Sequence, residues 1–545
     1  MTQNQRGTFA RTGLIALVYV CCFGVYLLRL DPTVGLFVDD AWYVLLAKAL
    51  ADGQGFTVIN SPSPGIMPLY PPGFPALLSV VFRIAPSFPE NVWLLKSVSV
   101  ASIFLAAALV YNYLVREHEM NRRAAHGITL LTLLTPALVF FATSTVMSEC
   151  FFTLLQLGSI VCVERCLKAE GKGRALMLLV GAAVLASMAF LTRPIAVGII
   201  CAAGVYLLLN RRVFHALIFS LVALIILGPW LAYSRAFEPT AAQKYEQGGL
   251  ITQSYVVSFW QRAAGDPGSG TATFKELPAR VLDNIKEMFV RDAGGIALPA
   301  LYRPPDESGE EALGMSGDMG IATDAMIISS VLGALCAFGF ALTLRRKILL
   351  SELALVFTLP VILTWPWAPF RFLVPFTPFI LLYLVRGVDA LWLLIRRWLR
   401  RDDGEALTRG NFSAAARVFL LCAVLLNVYD HVNYILMKFD VVGTRPEWLQ
   451  SFDETGELMS WMRDHIPPGS VVATENPPLV NLHTGLKTVW SAADPLKYRE
   501  DLARRNVAYL AHVSAYHSSS VSRVDAPSFK ILRHTDRRFL YVLEP

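Results

Sequence analysis

The most constraining feature of this sequence is a series of apolar runs, each long enough to cross a membrane as a helix. About 20 apolar residues span the hydrocarbon core of a bilayer. We therefore predict a polytopic α-helical membrane protein with about 11 transmembrane helices. The runs fall at residues 12–30, 92–115, 127–143, 150–167, 175–191, 195–210, 216–233, 324–344, 348–365, 372–388 and 414–434.

The composition agrees with this interpretation. Of 545 residues, 54% are hydrophobic and only 17% are charged, whereas soluble domains carry roughly 25% charged residues. The net charge of +6 is spread over short loops and does not indicate a nucleic-acid partner. All eight cysteines lie in apolar segments without a CxxC pair, so neither disulfides nor a cysteine metal site is predicted.

Basic residues between the runs predict the orientation, because cytoplasmic loops are enriched in lysine and arginine. If 11 spans alternate from a cytoplasmic N-terminus, all basic clusters share the cytoplasmic side of the inner membrane. The first run is then a retained anchor, and the apolar stretch 75–85 lies in the outer face without crossing. The clusters are Arg6/Arg11, Arg116/Arg122/Arg123, Lys168/Lys172/Arg174, Arg211/Arg212, Arg345/Arg346/Lys347 and Arg396/Arg397/Arg400/Arg401/Arg409.

Three segments are predicted outside: loops at about 31–91 and 234–323, and a tail. The tail is less apolar, and its alternating patterns predict a small α/β extracytoplasmic domain. We divide the chain into a transmembrane domain, 1–435, and this extracytoplasmic domain, 436–545. The elements expected in the tail are helices at 456–466 and 495–505 and strands at 470–473, 486–490, 507–510 and 539–542.

Two adjacent carboxylates, Asp39 and Asp40, follow the first run. The apolar residues after them, including Trp42, predict a helix that lies along the interface with one face in the lipid boundary. One aspartate can cap this helix, or one can serve as a general base at the membrane surface. The proline-rich stretch 61–75 is either a rigid spacer or a cover that shapes a pocket over this helix.

Three further charged residues lie at the predicted outer face. Glu149 begins a span, which suits either the helix dipole or a functional carboxylate. Arg193 and Arg371 are two arginines at this face that break the positive-inside pattern. Arg193 can cap a helix end and Arg371 can snorkel among aromatic residues, or both can bind a phosphate. Acids and arginines on one face indicate chemistry on a phosphate-linked lipid.

Several of these motifs together resemble a known family. The acidic pair Asp39-Asp40 with Tyr43 after it, the Tyr70-Pro71-Pro72 turn, Glu149, and the entry Arg371–Pro375 look like the GT-C glycosyltransferases. The sequence is most similar to the dolichyl-phosphate-mannose protein mannosyltransferases and the bacterial lipid A aminoarabinose transferases. The resemblance covers residues 1 to about 435 as architecture, and the tail resembles the small extracytoplasmic domain of bacterial members.

The resemblance implies a role for each residue. Asp39 is expected to deprotonate the acceptor hydroxyl, with Asp40 orienting or sharing it and Glu149 as a second carboxylate. Donor phosphate binding falls to Arg371, Arg193 and Tyr70, and the substrate pocket to Tyr43 and Trp42. The aminoarabinose transferases have a lysine where this chain has Tyr70. The implied activity is inverting transfer of a hexose or pentose from a polyprenyl phosphate to a lipid, glycan or protein acceptor.

Two alternatives stay open at this point. A lipid-linked oligosaccharide ligase or polymerase needs the same outer-face acids and arginines. A transporter or flippase is expected to place charges near the bilayer midplane, whereas here they gather at one interface. No Walker, GxSxG, HExxH or dinucleotide motif occurs, so no nucleotide cofactor is predicted. No metal ligand set is assigned, although adjacent carboxylates permit a divalent metal.

Overall fold

The computed structural model of the chain describes residues 3–543, apart from 36–37, 68–69, 242, 244–253, 264–265, 299–322, 401–411, 444, 492–501, 503, 514–528 and 537. Up to Lys438 it is almost entirely helical. The main helices there are Gln3–Arg29, Asp39–Ala51, Gly73–Ile84, Val92–Arg116, Arg122–Leu133, Pro136–Thr143, Glu149–Leu167, Lys172–Thr192, Val197–Leu209, Val213–Ala236, Thr323–Arg346, Leu350–Thr364, Phe370–Leu373, Thr377–Arg400 and Ala414–Lys438.

Every predicted apolar run coincides with a helix, and the class of polytopic helical membrane protein with a small α/β region is confirmed. Within the described residues, seven helices are long and apolar enough to cross a membrane, or eight if the bent pair Arg122–Leu133 and Pro136–Thr143 is one span. The remaining three predicted spans correspond to shorter apolar helices, Gly13–Arg29, Pro194–Leu209 and Leu350–Thr364. The count of 11 therefore stays a prediction.

Small residues allow close packing in the helix bundle. Gly339 and Gly387 face each other's helices, Thr323–Arg346 and Thr377–Arg400. A Cβ on Gly339 would collide with the carbonyl oxygen of Tyr383, and one on Gly387 with that of Leu335. Membrane helices associate through such close backbone approach, because apolar side chains gain little by leaving lipid.

A bend of 50° separates Arg122–Leu133 from Pro136–Thr143. Pro136 has no amide hydrogen to continue the first helix, so the chain changes direction there. Fully buried residues 143–148 then connect the bent helix to Glu149.

Part of the second outer segment is also structured. It contains the helices Tyr255–Phe259, Leu277–Glu287 and Ala293–Ala297, a π-helical turn at Met288–Asp292, and an antiparallel pair of strands, Gln261–Ala263 and Asp266–Thr271.

In its described residues, the tail forms a mixed five-stranded sheet with two helices. In spatial order the strands are Lys487–Trp490, Val471–Thr474, Tyr509–His512, Phe539–Leu543 and Phe529–His534. The first three strands are parallel to one another. The fourth is antiparallel to the third, and the fifth is antiparallel to the fourth. The helices are Glu447–His465, longer than predicted, and Pro477–Thr484.

Most predicted elements of the tail are present. All four predicted strands are found near their expected positions. Strand Phe529–His534 and helix Pro477–Thr484 were not predicted, and the helix expected at 495–505 lies mostly outside the described residues. The domain boundary at 436 stays a prediction.

The tail sheet docks on the first outer loop through its edge strand. The Thr488 amide donates to the Asn60 carbonyl (2.8 Å), and the Asn60 side-chain amide donates to Thr488 Oγ1 (3.1 Å). Lys487 Nζ donates to the Ile59 carbonyl (2.9 Å). The edge strand is thus partly covered by the loop, which satisfies backbone groups that an isolated edge leaves open.

His483 lies at the same contact and gives the tail a pH-dependent stability. Its ring packs edge-on against Phe88, with ring centroids 4.9 Å apart. Burial, and then the Arg463 guanidinium, lowers the pKa of His483 from 6.5 to about 4. Because the unfolded histidine binds its proton first as the pH falls, protonation favours unfolding between these two values.

We expect the protein to lose about 3 kcal/mol of stability from this residue as the pH falls from 7 to 4. The measurement is the apparent melting temperature of detergent-purified protein across this range. His483→Phe keeps an aromatic ring without a titrating group and should flatten the decline, whereas exposed His465→Phe should behave as wild type. An equally steep decline in His483→Phe would contradict the assignment.

Candidate active site

The first outer loop begins with a short segment, residues 31–35, that a buried carboxylate fixes in place. Asp31 Oδ2 accepts hydrogen bonds from Ser144 Oγ and the Tyr434 hydroxyl, each at 2.7 Å. Its Oδ1 lies 3.1 Å from Lys438 Nζ. Lys96, fully buried, donates from Nζ to the Asp31 carbonyl (2.6 Å). Asp31 therefore joins the start of this loop to three separate parts of the helical bundle.

The same segment is bound to the residues that lead to Glu149. The Asp31 amide donates to the Thr143 carbonyl (3.0 Å), and Thr33 Oγ1 donates to the Ser144 carbonyl (2.5 Å). These bonds hold the backbone that leads to Asp39 against the backbone that leads to Glu149. The two acids are far apart in sequence, yet their backbones share one support.

The two carboxylates of the acidic pair have different surroundings. The helix begins at Asp39 itself after Val38, whose φ of 52° is rare for a β-branched residue. Asp40 is fully buried, and its oxygens accept from the amides of Gly35 (2.8 Å) and Ala41 (3.1 Å). The Asp39 side chain is 28% exposed and points to the other charged residues. Asp40 holds the backbone, and Asp39 remains accessible.

The sequence pattern of helix Asp39–Ala51 predicted that one of its faces lies in lipid. This prediction is wrong. Nine of its 13 residues, including Trp42, are buried within the protein, and none is exposed. Helix Gly73–Ile84 and tail helix Pro477–Thr484 pack against it. The apolar residues therefore face protein on both sides, and a sequence pattern alone does not reveal what covers an apolar face.

The tail also reaches the acidic pair directly. Asn476 Nδ2 donates to the Gly35 carbonyl (2.9 Å), while the Gly35 amide donates to Asp40. Gly35 has a φ of 89°, and a Cβ there would lie 2.8 Å from Leu479 Cδ1. Only glycine fits this conformation and this close contact without strain. The backbone before Asp39 is thus clamped between Asp40 and the tail.

One guanidinium group connects the two acids that the sequence places at the predicted outer face. Arg371 Nη1 donates to Asp39 Oδ2 (2.7 Å), and Arg371 Nε donates to Glu149 Oε1 (2.6 Å). Arg371 is 18% exposed at its side chain and Glu149 is fully buried. The predicted residues Asp39, Glu149 and Arg371 therefore lie in direct contact, although 332 positions separate Arg371 from Asp39.

Arg193 supplies the second positive charge. Its Nη1 donates to Glu149 Oε1 (2.5 Å) and to Ser148 Oγ (3.3 Å), and its guanidinium lies 5.6 Å from the centre of the Phe372 ring. The side chain is therefore directed to Glu149 and does not cap the helix before it. Two carboxylates and two guanidinium groups form a charge-balanced cluster, as burial of ionised groups requires. We call Asp39, Glu149, Arg193 and Arg371 the acid–arginine cluster.

Tyrosines close one side of this cluster. The Tyr70 hydroxyl donates a short hydrogen bond to Asp39 Oδ1. Tyr43 packs edge-on against both Tyr70 and Phe74, with centroids 5.3 Å apart in each case, and its hydroxyl accepts from Ser148 Oγ (3.3 Å). Burial, followed by the charge of Asp39, raises the pKa of Tyr70 well above 10, so Tyr70 remains a proton donor to Asp39.

Two predicted residues stand apart from the cluster's polar contacts. Asp40 bonds to backbone amides, as described above. Trp42 is fully buried, and its indole nitrogen has no hydrogen-bond partner among the described residues. A role for Trp42 in a substrate pocket stays a prediction.

Several supporting residues were missed from the sequence. Asp31, Lys96 and Asn476 fix the loop that carries Asp39. Lys96 does carry a visible signal, since it is a charge inside an apolar run. Asn476 carries none, because its partner Gly35 is 441 positions away.

The described residues contain no group of three or more His, Cys, Asp or Glu side chains that could hold a metal ion. In this part of the chain, the oxygens of Asp39 are bonded to Tyr70 and Arg371. Both partners donate hydrogen bonds to Asp39.

No protein-family model and no curated protein sequence matches the chain. Solved structures do. ArnT from Cupriavidus metallidurans, bound to undecaprenyl phosphate, is similar over 97% of this chain and 98% of its own, at 12% identity and a TM-score of 0.48. The apo form of ArnT matches at 15% identity over 98% of each chain, with a TM-score of 0.48.

Two further structures are similar. The Archaeoglobus fulgidus oligosaccharyltransferase, in complex with Zn and sulfate, covers 91% of this chain and 67% of its own, at 13% identity and a TM-score of 0.43. The arabinofuranosyltransferase AftD from Mycobacteria covers 97% of this chain and 40% of its own, at 11% identity and a TM-score of 0.43. These structures are GT-C glycosyltransferases. That is the class which the motifs of this sequence resemble.

The hydrogen bond from Asn476 of the tail to Gly35 leads to a testable prediction. Asn476→Ala removes one donor from the Gly35 carbonyl, so the segment 31–35 should open more readily. A lost hydrogen bond of this kind corresponds to about tenfold faster exchange of the Gly35 amide. Hydrogen–deuterium exchange of the purified protein measures it.

Asn481→Ala is the matched control. Asn481 Nδ2 donates to the Leu486 carbonyl (2.7 Å) entirely within the tail. It should leave exchange at residues 31–42 unchanged. Equal exchange of Gly35 in wild type and Asn476→Ala would show that the tail does not hold this loop.

Proposed function

We propose that this protein is a membrane glycosyltransferase that transfers a sugar from a polyprenyl phosphate to an acceptor hydroxyl. The reaction is placed at the outer face of the cytoplasmic membrane, with a cytoplasmic N-terminus and the tail outside. The observation that carries the proposal is the contact of Arg371 with both Asp39 and Glu149 at one end of the helical bundle. A base and a phosphate-binding cation thus lie side by side.

Asp39 is the proposed general base. Of the acidic pair, it is the partly exposed member, whereas both oxygens of Asp40 accept backbone amides. An aspartate that takes a proton must reach the acceptor. A buried aspartate whose two oxygens already accept hydrogen bonds does not reach it. Asp40 instead fixes the turn from which Asp39 projects, so it acts as a positioning residue.

Arg371 and Arg193 are the proposed donor-phosphate residues. A planar guanidinium binds phosphate oxygens through two parallel N–H bonds, as it does a carboxylate. Arg371 already points its N–H groups at two acids, and a phosphate can take the place of one of them. The Tyr70 hydroxyl, held on Asp39, provides a neutral donor beside the same position.

Glu149 orients the two arginines. Its Oε1 accepts from both Arg371 and Arg193, and the residue is fully buried. Removing it would leave two guanidinium groups without their shared carboxylate. We therefore assign it to the support of the phosphate site more than to direct contact with the acceptor.

The proposed reaction is a single displacement. The acceptor hydroxyl gives its proton to Asp39 while its oxygen attacks the anomeric carbon of the donor sugar. The bond from this carbon to the phosphate oxygen breaks, and the polyprenyl phosphate leaves as an anion that Arg371 and Arg193 stabilise. Attack opposite the leaving group inverts the anomeric centre. Since the phosphate is a good leaving group without protonation, the enzyme mainly needs a base for the acceptor and cations that stabilise the departing negative charge.

Substitution of the base tests the proposal. Asp39→Asn should lower turnover by about 10² to 10⁴-fold, because a general base contributes that much, while polyprenyl-phosphate binding is retained. Transfer is measured with detergent-purified protein and a panel of polyprenyl-phosphate monosaccharides. A lipid-linked oligosaccharide in the panel distinguishes the ligase or polymerase alternative.

Asp52→Asn is the matched control, because Asp52 is an exposed aspartate at the end of the same helix, paired with Lys48. It should leave turnover unchanged. Full turnover in Asp39→Asn would exclude Asp39 as the base. Failure of wild type both to turn over any donor and to bind polyprenyl phosphate would refute the proposed activity.

The phosphate site has its own test. Arg371→Lys keeps the charge but loses the paired N–H donors, so donor affinity should fall about 10 to 100-fold. Arg235→Lys, at an exposed position on the end of helix Val213–Ala236, is the control. Native mass spectrometry with polyprenyl phosphate gives the affinities. Unchanged donor binding by Arg371→Lys would place the phosphate elsewhere.

A further inference from the structure

The opposite end of the helical bundle contains a second cluster of charged side chains. Helix Glu149–Leu167 begins at the acid–arginine cluster and spans about 28 Å at 1.5 Å per residue. Just beyond its far end, Lys168 pairs with Glu117 (2.5 Å). His118, next to Glu117 in sequence, therefore lies at the face opposite to the candidate active site.

A cleft opens beside His118. Its volume is about 100 Å³, whereas a water molecule takes about 30 Å³ in the liquid, so a phosphate group fits. The cleft lies between the chain around His118 and the ends of helices Thr323–Arg346 and Thr377–Arg400. Its polar lining is His118, Thr343, Arg346, Arg386 and Asp389, with Phe412 at one side.

The histidine holds one of the two arginines that line this cleft. Arg386 Nη1 donates to Thr343 Oγ1 (2.8 Å), and its Nη2 lies 3.4 Å from His118 Nδ1. Since a guanidinium only donates, Nδ1 is the acceptor and the proton of the neutral ring is on Nε2. Burial, and then Arg386, lowers the pKa of His118 well below 6.5, which agrees with a neutral ring.

The Nε2 hydrogen of His118 has no acceptor in the described part of the chain. The Glu352 carboxylate is 3.9 Å from Nε2, which is too far for a hydrogen bond, and its Oε1 accepts from the Tyr383 hydroxyl (3.0 Å). The His118 side chain is 2% exposed. Nε2 thus lies towards Glu352, which does not line the cleft, and His118 acts on the cleft through Nδ1, which orients Arg386.

The charge of the lining favours an anion. Arg346 is exposed and makes no ion pair with the residues that the structure describes. The one carboxylate of the lining, Asp389, accepts from the Ser413 amide (2.7 Å), so part of its charge is offset. Two arginines of the lining therefore face one engaged carboxylate.

The surrounding surface indicates a lipid as the source of that anion. The cleft lies between helix ends, and exposed basic residues mark the loops of this face, among them Arg116, Arg122, Arg123, Arg345 and Lys347. Basic pockets between membrane helices bind the phosphate head groups of anionic lipids, which also collect beside such basic loops.

We propose that this cleft binds the phosphate group of an anionic membrane lipid, with Arg386 and Arg346 as donors. Such a lipid would join the chain around His118 to the ends of helices Thr323–Arg346 and Thr377–Arg400. The site is separate from the acid–arginine cluster and does not depend on the proposed activity.

Lipid binding to the full-length, detergent-purified protein tests this proposal. Native mass spectrometry compares dioleoyl phosphatidylglycerol, dioleoyl phosphatidylcholine and inorganic phosphate for wild type, Arg346→Gln and Arg345→Gln. Arg345 is an exposed neighbour that does not line the cleft, so it is the matched control. We expect phosphatidylglycerol to bind about tenfold more weakly to Arg346→Gln, as the loss of one charged donor implies, and unchanged to Arg345→Gln.

His118→Phe removes the acceptor that orients Arg386 and should also weaken phosphatidylglycerol binding. Equal affinity for all variants, or equal binding of phosphatidylcholine and phosphatidylglycerol, would overturn the proposal. Displacement of phosphatidylglycerol by millimolar inorganic phosphate, with the phosphate itself bound in an Arg346-dependent way, would assign the site to a free anion and overturn the lipid assignment.

Discussion

The candidate site depends on the contacts that the Arg371 guanidinium makes with two carboxylates. The guanidinium holds Asp39 and Glu149 at 2.7 and 2.6 Å, and Arg193 completes the charge balance on Glu149. In the proposed reaction this contact also couples binding to catalysis. A donor phosphate that takes Arg371 from Asp39 leaves that carboxylate ready to accept a proton, so the base becomes available when the donor is bound.

The backbone around Asp39 is supported from two directions. Asp31 fastens the start of the loop to the helical bundle through Ser144, Tyr434 and Lys438. From the other side, Asn476 of the tail binds Gly35, and Asp40 binds the same glycine. The tail is therefore part of the frame of the site. It fixes the geometry of the acidic pair. Catalysis by a general base requires such precise placement.

The sequence predicted the helices and most of the charged cluster for one physical reason. Charges are costly beside long apolar runs, so Glu149, Arg193 and Arg371 stand out against them. It did not predict the burial of helix Asp39–Ala51, because periodicity records which residues are apolar and not what covers them. Nor did it predict Asn476, whose polar side chain is ordinary in a soluble tail and becomes informative only beside Gly35.

The contact between Asn476 and Gly35 also bears on how the protein is made. The two residues are 441 positions apart, and a ribosome adds roughly 5–20 residues per second. The first outer loop is therefore synthesised about 20 to 90 s before its partner. During that interval Gly35 lacks the hydrogen bond from Asn476. The acidic pair reaches its final support only when nearly the whole chain has been translated, so a truncated product lacks the completed site however well its helices insert.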